Sequence, residues 1–240
     1  MKIYLNCTAN LGDFMNAYPV LSGLSKLDAI DLIIRHEMIK FADFREFLYY
    51  QGIFRSVEYD NQTATNNAII LSSWTHMTRT DPNRPVETCR YENWIKEKYK
   101  LDFTVDDDCR IKCPELDIDV FADKFIVGDR WGADQDAAVD QRRLSHVIRD
   151  GANIDFTQVH FLDYTKSIFE NCAIIAQNPN RLISTFTGIS IIADLMAKPV
   201  TVCWDDDMRI WDGKPVEFDW QRHFYADRNS ELVYVRDLKL

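Results

Sequence analysis

The amino-acid sequence predicts an α/β protein with two doubly wound domains whose parallel sheets face a cleft. Short apolar runs that are typical of buried strands alternate with stretches of helical apolar spacing, and this order recurs in both halves of the 240-residue chain. The clearest unit is Leu182–Trp204, where a strand, a polar turn, a helix and a second strand follow one another. Segment 102–119 is acidic and weakly periodic, so we expect domains at residues 1–115 and 116–240.

The first half begins with alternating strands and helices. Four apolar runs predict buried strands at Lys2–Asn6, Leu32–Ile34, Val57–Tyr59 and Ala68–Leu71. Apolar residues three and four apart predict helices at Phe14–Leu27, Phe41–Tyr50 and Tyr91–Lys100. A polar loop, Thr8–Asp13, precedes the first helix. Pro19 lies inside that helix and predicts either that the helix starts near it or that it kinks there.

Ser72–Arg90 has no clear period and is rich in Thr, Arg, Asn and Pro. It follows the end of a buried strand, and in open parallel sheets the ligand-binding loops lie at the carboxyl ends of strands. We interpret it as a long functional loop, with a plain surface excursion as the alternative.

The second half repeats the alternation. Strands are predicted at Lys124–Gly128, Val159–Leu162, Leu182–Ser184 and Pro199–Trp204. Helices are predicted around Arg142–Val147, at Thr165–Ala176 and around Ile191–Met196. The run Leu232–Val235 predicts either a last strand or a tail packed across both halves.

The turn Thr185–Gly188 carries the clearest chemical signal. Thr187 and Gly188 stand where the first N–H groups of a helix lack partners and the helix dipole is positive, which favours an anion such as phosphate. Gly188 would let a ligand approach the backbone closely. A simple helix cap is the alternative interpretation.

Composition excludes several classes of protein. A net charge of −10 argues against a protein that coats nucleic acid generally, although it allows a local basic groove. No apolar run is long enough to span a membrane, and the first residues lack the apolar stretch of a signal peptide. We therefore expect a cytoplasmic protein.

No metal site is expected. The six cysteines are scattered and lack the close second pair or histidines of a zinc site, so they are predicted to be free thiols. Asp106–Asp108 resembles a metal-binding cluster, but a solvated acidic turn is the favoured interpretation. Asp205–Asp207 follows a predicted strand, and a metal site is the disfavoured interpretation there.

Two stretches together resemble the ADP-heptose lipopolysaccharide heptosyltransferases. That family has Gly-Asp, five residues and Pro in its first loop and helix, and this chain has Gly12, Asp13 and Pro19. A second family segment reads Asp-Thr-Gly-x-x-His, then Ala, then Gly-x-Pro-Val. The residues that match it are Thr187, Gly188, Ala193, Lys198, Pro199 and Val200.

Three departures limit what the resemblance implies. Phe186 stands where the family has Asp, Ile191 where it has His, and Ala197 where it has Gly. The chain is also shorter than a typical member. The implied fold, a GT-B arrangement of two Rossmann-like domains, therefore carries over better than the heptose donor does.

The resemblance also implies roles for particular residues. Asp13, at the tip of the first loop, would be the general base, with a helix N-cap as the alternative. Arg130 would neutralise the leaving phosphate, with a plain surface arginine as the alternative. The residues implied in donor binding are Gly12, Thr187, Gly188 and Ser190. The reaction would invert configuration and need neither metal nor cofactor, because a nucleotide-diphosphate sugar is the co-substrate.

Two acceptors are open at this stage. One is a saccharide, and the other is a hydroxymethylated base in bacteriophage DNA, which would place the enzyme in the host cytoplasm. A flipped base would stack on aromatic residues while arginines contact the backbone. The residues that fit this picture are Trp74, Arg79, Arg84, Arg90 and Tyr91.

Two other functions compete with a glycosyltransferase. The replacement of the family's Asp and His by Phe186 and Ile191 would suit a non-catalytic partner protein that binds a nucleotide or sugar. An epimerase or hydrolase of nucleotide sugars would use a similar fold without an acceptor.

Overall fold

The structure is a computed structural model that describes residues 1–5, 11–34, 43–59, 68–71, 81–129, 147–185, 187–204, 210–211, 214–215 and 224–240. The chain divides into two compact units. Unit 1 comprises Met1–Lys112 and Gln221–Asp227, and unit 2 comprises Cys113–Trp220 and Arg228–Leu240. Each unit has its own parallel sheet, which confirms the predicted α/β class.

Unit 1 contains a parallel sheet of four strands among its described residues, in the order β3-β2-β1-β4. The strands are β1 (Lys2–Leu5), β2 (Ile30–Ile34), β3 (Phe54–Tyr59) and β4 (Ile69–Leu71). The helices are α1 (Leu11–Ser25), α2 (Phe44–Tyr50) and α3 (Val86–Tyr99). β2 and β3 begin before their predicted first residues because Ile30 and Phe54 are also buried.

Helix α1 begins earlier than predicted. It starts at Leu11, so Leu11–Asp13 belong to its first turn rather than to a polar loop, and the helix does not begin at Pro19. The first turn of a helix needs no intrahelical acceptors for its N–H groups, so it can form without an apolar pattern. Its middle is fixed by a buried face that includes Phe14, Val20 and Leu21.

Helix α3 also begins earlier than predicted, at Val86 rather than at Tyr91. The end of the predicted loop Ser72–Arg90 is therefore helical. Val86 and Cys89 lie three residues apart and are both buried, so they continue the helical face towards the N-terminus. Residues 72–80 lie outside the described part of the chain.

The acidic triplet Asp106–Asp108 forms a turn, but it is not simply solvated. Its segment returns to α1, where the Asp106 N–H donates to the Pro19 carbonyl at 3.1 Å. The Ser22 hydroxyl donates to the Asp106 carboxylate at 2.6 Å, and the Lys26 ammonium lies 3.0 Å from it. These contacts fasten the segment after α3 to the surface of α1.

Unit 2 contains five parallel strands in one sheet among its described residues, in the order β11-β8-β7-β5-β6. They are β5 (Phe125–Gly128), β6 (Val159–Phe161), β7 (Leu182–Thr185), β8 (Val200–Trp204) and β11 (Glu231–Tyr234). The short strands β9 (Ile210–Trp211) and β10 (Lys214–Pro215) pair antiparallel. Because β11 pairs with β8, the run near Leu232 is a strand.

The helices of unit 2 are α4 (Val147–Gly151), α5 (Ile168–Gln177) and α6 (Gly188–Leu195). Helix α6 joins the parallel neighbours β7 and β8, which confirms the predicted crossover. All residues of both strands are buried, as expected for a sheet covered on both faces. One core cluster on this sheet consists of Val127, Ile148, Val159, Ile183, Cys203 and Leu238.

In the described residues, the cysteines, the helix hydropathy and the metal-binding side chains indicate no disulfide, membrane span or metal site. The cysteines at 89, 109, 113, 172 and 203 are free thiols, as predicted. No described helix is long and apolar enough to cross a membrane, and no group of three metal-binding side chains occurs in the same part of the chain.

Gly23 provides a test of the packing of segment 102–111 on α1. A Cβ atom at Gly23 would lie 2.2 Å from the Thr104 carbonyl oxygen, a backbone atom that cannot rotate away. We expect Gly23→Ala to lower the free energy of unfolding by about 1–3 kcal/mol, although alanine usually stabilises a helix. Urea denaturation would measure this, with Ser25→Ala in the same helix expected to change little. An unchanged or more stable Gly23→Ala would contradict the packing.

Candidate functional site

The candidate site lies at the carboxyl ends of β5 and β7 in unit 2. Gly128 and Ser184 are paired in register at these ends, and α6 begins a few residues after β7. Thr187 is the N-cap of α6 with extended backbone angles, and Gly188 is the first helical residue. The turn therefore has the strand-to-helix geometry expected from the sequence, at the edge where open parallel sheets bind ligands.

Three hydroxyl groups organise this turn. The Ser184 hydroxyl donates to the Gly128 carbonyl at 2.7 Å and lies 3.4 Å from the Thr187 hydroxyl. The Thr187 N–H donates to the Ser190 hydroxyl at 3.2 Å, and that hydroxyl donates back to the Thr187 carbonyl at 2.7 Å. Ser190 is fully buried, so it shapes the turn from within, and its contact with a donor stays a prediction.

Gly128 allows α6 to approach β5 closely. A Cβ atom at this position would lie 2.9 Å from Cγ2 of Ile189, 3.2 Å from the Ser184 hydroxyl and 3.3 Å from the Tyr164 hydroxyl. The first distance is shorter than real Cβ contacts permit. The absence of a side chain at Gly128 therefore makes room for both the first turn of α6 and the hydroxyl groups beside it.

Tyr164 joins the site from the segment that follows β6, and sequence reasoning missed it. Its hydroxyl donates to the Asp129 carbonyl at 3.1 Å. Burial raises the pKa of Tyr164, and the nearby Asp129 charge raises it further against the opposing effect of Thr187. The phenol therefore keeps its proton. Its place after a strand of the same sheet was the available signal.

Asp129 holds the start of α4. Its buried carboxylate accepts hydrogen bonds from the N–H groups of Ile148 and Arg149, each at 3.1 Å. A carboxylate in this position satisfies N–H groups at a helix start and complements the helix dipole. Arg130 follows directly in the chain but lies outside the described residues, so its role stays a prediction.

The arrangement suits an anion held by neutral donors. An α-helix leaves the first N–H groups without intrahelical acceptors, and in α6 these belong to Gly188 and Ile189. The Thr187 hydroxyl stands beside them. Hydrogen bonds from such groups at the positive end of a helix stabilise phosphate oxygens without a metal or a lysine.

Two departures from the resembled family have a structural account. Ile191 is buried, so the position of the family's histidine here belongs to the apolar face of α6. Ala197 has φ 58°, a left-handed conformation that favours the family's glycine. The N–H groups of Ala197 and Lys198 close the end of α6 on the carbonyls of Asp194 and Ala193, both at 2.9 Å. Phe186 lies outside the described residues.

The residues predicted for the N-terminal site fall in the first turn of α1. Gly12 and Asp13 lie in this turn, shortly after the carboxyl end of β1. Asp13 is therefore neither at the tip of a loop nor the N-cap, which corrects both structural expectations for its backbone. The position of its side chain is outside the described part, so its role as a base stays a prediction.

Arg84 is held by acidic groups within unit 1. Its guanidinium makes two hydrogen bonds to Asp107, one of 2.6 Å from Nε, and a third of 2.6 Å to Glu92. The Tyr225 hydroxyl donates to Asp107 at 3.2 Å. Burial alone would lower the pKa of Arg84, but the hydrogen bond and charge of Asp107, together with Glu92, raise it. These contacts give Arg84 a structural role, and its acceptor contact stays a prediction.

The other predicted acceptor residues are dispersed. Arg90 lies in α3 and pairs with Glu87 one turn before it. Tyr91 is fully buried in unit 1, so the expectation that it stacks on a base is wrong. Trp74 and Arg79 lie outside the described residues, and their roles stay predictions.

Comparison with known proteins gives a match in structure but not in sequence. No family model and no curated protein matches the chain. The chain is similar to E. coli heptosyltransferase WaaC with ADP, with 11% identity and a TM-score of 0.51, over 100% of this chain and 96% of that chain. The chain has a GT-B-like fold. At this identity the likeness shows the fold alone, and it confirms the fold predicted from the resemblance.

A second structure of the same enzyme, with ADP-2-deoxy-2-fluoro heptose, is also similar. It shares 12% identity with a TM-score of 0.46, over 97% of this chain and 93% of that chain.

The ion pairs of Arg84 predict a measurable structural role. We expect Arg84→Met to lower the free energy of unfolding by about 1–3 kcal/mol, because Asp107 and Glu92 would lose a partly buried partner. Arg45→Met is the control, since Arg45 and its partner Glu46 are about half exposed and should contribute about 0.5 kcal/mol or less. Chemical denaturation of both variants measures the free energy of unfolding. If Arg84→Met is as stable as Arg45→Met, the structural role of Arg84 is contradicted.

Proposed function

We propose that the protein is a glycosyltransferase that moves a sugar from a nucleotide-diphosphate sugar to an acceptor hydroxyl. The observation that carries the proposal is the turn at Thr187 and Gly188, which starts a helix at the carboxyl edge of the unit 2 sheet. The GT-B-like fold supports it, because a solved structure of that fold contains ADP. The proposed co-substrate is a nucleotide sugar, and no further cofactor is proposed.

In this proposal, unit 2 binds the donor through its diphosphate. The N–H groups at the start of α6 and the Thr187 hydroxyl would donate to the phosphate oxygens. Gly188 would allow the close approach, Ser190 would hold the turn, and Gly12 of unit 1 would contribute to the donor site. Neutral donors suit a diphosphate because burial of uncompensated positive charge is avoided when the ligand is absent.

The chemistry would be a single displacement. Asp13 would take the proton from the acceptor hydroxyl as its oxygen attacks the anomeric carbon. The bond from that carbon to the diphosphate oxygen would break, and Arg130 with the start of α6 would stabilise the leaving diphosphate. One displacement at the anomeric carbon inverts its configuration. No metal is required in this scheme.

Of the two acceptors, a saccharide is favoured over a hydroxymethylated base in bacteriophage DNA. Arg84 and Arg90 both have acidic partners within unit 1, and the chain carries a net charge of −10. Both features weaken attraction to a DNA backbone. Trp74 and Arg79 remain proposed acceptor contacts in either case. A cytoplasmic location, in the host if the source is a bacteriophage, remains part of the proposal.

Nucleotide binding tests the donor site. We expect one member of a panel of ADP, GDP, CDP, UDP and their sugar conjugates to raise the melting temperature by about 5–10 °C at a hundredfold excess over its Kd. Gly128→Ala should abolish most of this shift, because the added methyl group would push the first turn of α6 from β5.

Gly151→Ala provides the matched control for that experiment. A Cβ atom there would also lie 2.9 Å from a methyl group, Cγ1 of Val235, and away from the turn. Both variants should therefore lose stability, about 1–3 kcal/mol each, but only Gly128→Ala should lose the ligand shift. A flat panel with the natural chain would refute the donor site.

Asp13→Asn tests catalysis separately from binding. We expect it to bind the donor with unchanged Kd while kcat falls by at least about a hundredfold, because general bases contribute effects of this size. Asp28→Asn, a change of an exposed acid in the same unit, should keep full activity. Release of sugar should be followed with and without acceptors.

The outcomes of that assay separate the competing functions. If the natural chain and Asp13→Asn both bind the donor and neither turns it over, a non-catalytic binding protein is favoured. This is the second candidate function, because a buried isoleucine, Ile191, stands where the resembled family has histidine. Turnover of the nucleotide sugar without any acceptor would favour a hydrolase or an epimerase.

A further inference from the structure

The outer edge of β4 in unit 1 is closed by side chains of α3. Among the described residues, β4 is the last strand in the order β3-β2-β1-β4, and it pairs with β1. We infer that Trp94, Lys98 and Tyr99 form an edge cover that prevents a strand of a second copy of the chain from pairing with β4. This role is independent of the proposed catalysis, because it concerns only how the sheet of unit 1 ends.

The backbone groups of Ile70 carry the inference. Ile70 lies opposite Tyr4 in the register of β1 and β4. Its N–H donates to the Tyr99 hydroxyl at 2.8 Å, and its carbonyl accepts from Nε1 of Trp94 at 2.6 Å. In a parallel pair, alternate residues bond to the neighbouring strand, and the residue between them directs both groups to the other edge. An added strand would need these two groups, and α3 already occupies both.

Lys98 adds a positive charge to the edge cover. Its Nζ lies 4.4 Å from the centre of the Trp94 ring and 5.6 Å from the centre of the Tyr99 ring. The side chain is exposed, so the ammonium stays hydrated while it contacts both rings. A strand that approached Ile70 would have to displace this ammonium or remove its water. Lysine is the residue that natural sheets often place at an edge for this reason.

The composition of β4 explains why its edge needs a cover. Segment 68–71 reads Ala-Ile-Ile-Leu, and the side chains of Ile69 and Ile70 are only half-buried. Short apolar β-branched runs of this kind readily pair with strands of other chains when their edge is open. At the other end of the described sheet, β3 carries the exposed charges of Arg55 and Glu58, which protect an edge directly. Because β4 has no charge of its own, α3 supplies one together with two hydrogen bonds.

The first test is the oligomeric state of a double variant, Trp94→Phe with Tyr99→Phe. Each phenylalanine keeps an aromatic ring and removes the polar group that bonds to Ile70. We expect its weight-average mass in sedimentation equilibrium to rise with concentration to at least about twice that of the natural chain, as two copies pair. The amide I band should show added intermolecular strands.

Tyr225→Phe is the control for a general loss of stability. It removes a buried hydroxyl that bonds to Asp107, away from the edge of β4. We expect this variant to be less stable than the natural chain and to keep its mass at every concentration. The comparison separates an open strand edge from a destabilised chain that associates non-specifically.

Adding Ile70→Pro to the double variant shows whether the new contact runs through β4. Proline has no N–H, so a second strand cannot pair at this position. An edge strand tolerates proline where the N–H points away from its neighbour, as at Ile70. We expect the triple variant to return to the mass of the natural chain.

Hydrogen exchange of the Ile70 amide tests the edge cover even if the double variant fails to fold. In the single variant Tyr99→Phe, this N–H loses its acceptor, and we expect it to exchange about three- to tenfold faster than in the natural chain. The Leu71 amide, which belongs to the alternate set directed towards β1, is the internal reference and should keep its rate.

The outcomes decide for or against the edge cover. A folded double variant with the mass of the natural chain would overturn the inference, and so would an Ile70 amide that Tyr99→Phe leaves unchanged. An equal rise in mass in Tyr225→Phe, or a rise that Ile70→Pro does not reverse, would also overturn it. A rise in mass confined to the double variant and reversed by Ile70→Pro supports it, as does faster exchange at Ile70 alone.

Discussion

The close approach of α6 to β5 at Gly128 is the constraint on which unit 2 depends. With no side chain at Gly128, Ile189 packs directly over the strand and the Ser184 hydroxyl reaches the Gly128 carbonyl. The crossover from β7 to β8 is then buried along nearly the whole of α6. The same contact sets the position of Thr187, so core packing and the geometry of the candidate site share one cause.

The sequence predicted the strands of both sheets well, because strands buried on both faces are unbroken apolar runs. The starts of helices were harder to predict. Leu11 begins α1 in a turn that needs no apolar pattern, and the first turn of α3 at Val86 is too short to establish a period. β11 was ambiguous because its half-buried residues give a weak signal at the edge of a sheet.

The candidate site was predictable only where it is local in sequence. Thr187 and Gly188 stand out because a strand, a turn and a helix follow one another within a short stretch. Tyr164 and Gly128 have partners far along the chain, and their meeting depends on β5 lying between β6 and β7. Arg84 illustrates the same limit, because its partner Asp107 lies in the segment that follows α3, while Arg84 precedes that helix.

Ala197 carries a backbone cost at the end of α6. It keeps a left-handed backbone at the end of α6, where a residue with a Cβ atom costs about 1 kcal/mol relative to glycine. The end of α6 nevertheless closes with the two hydrogen bonds of a glycine-type helix terminus. Alanine and glycine codons differ by one base, so a single nucleotide change could remove this cost.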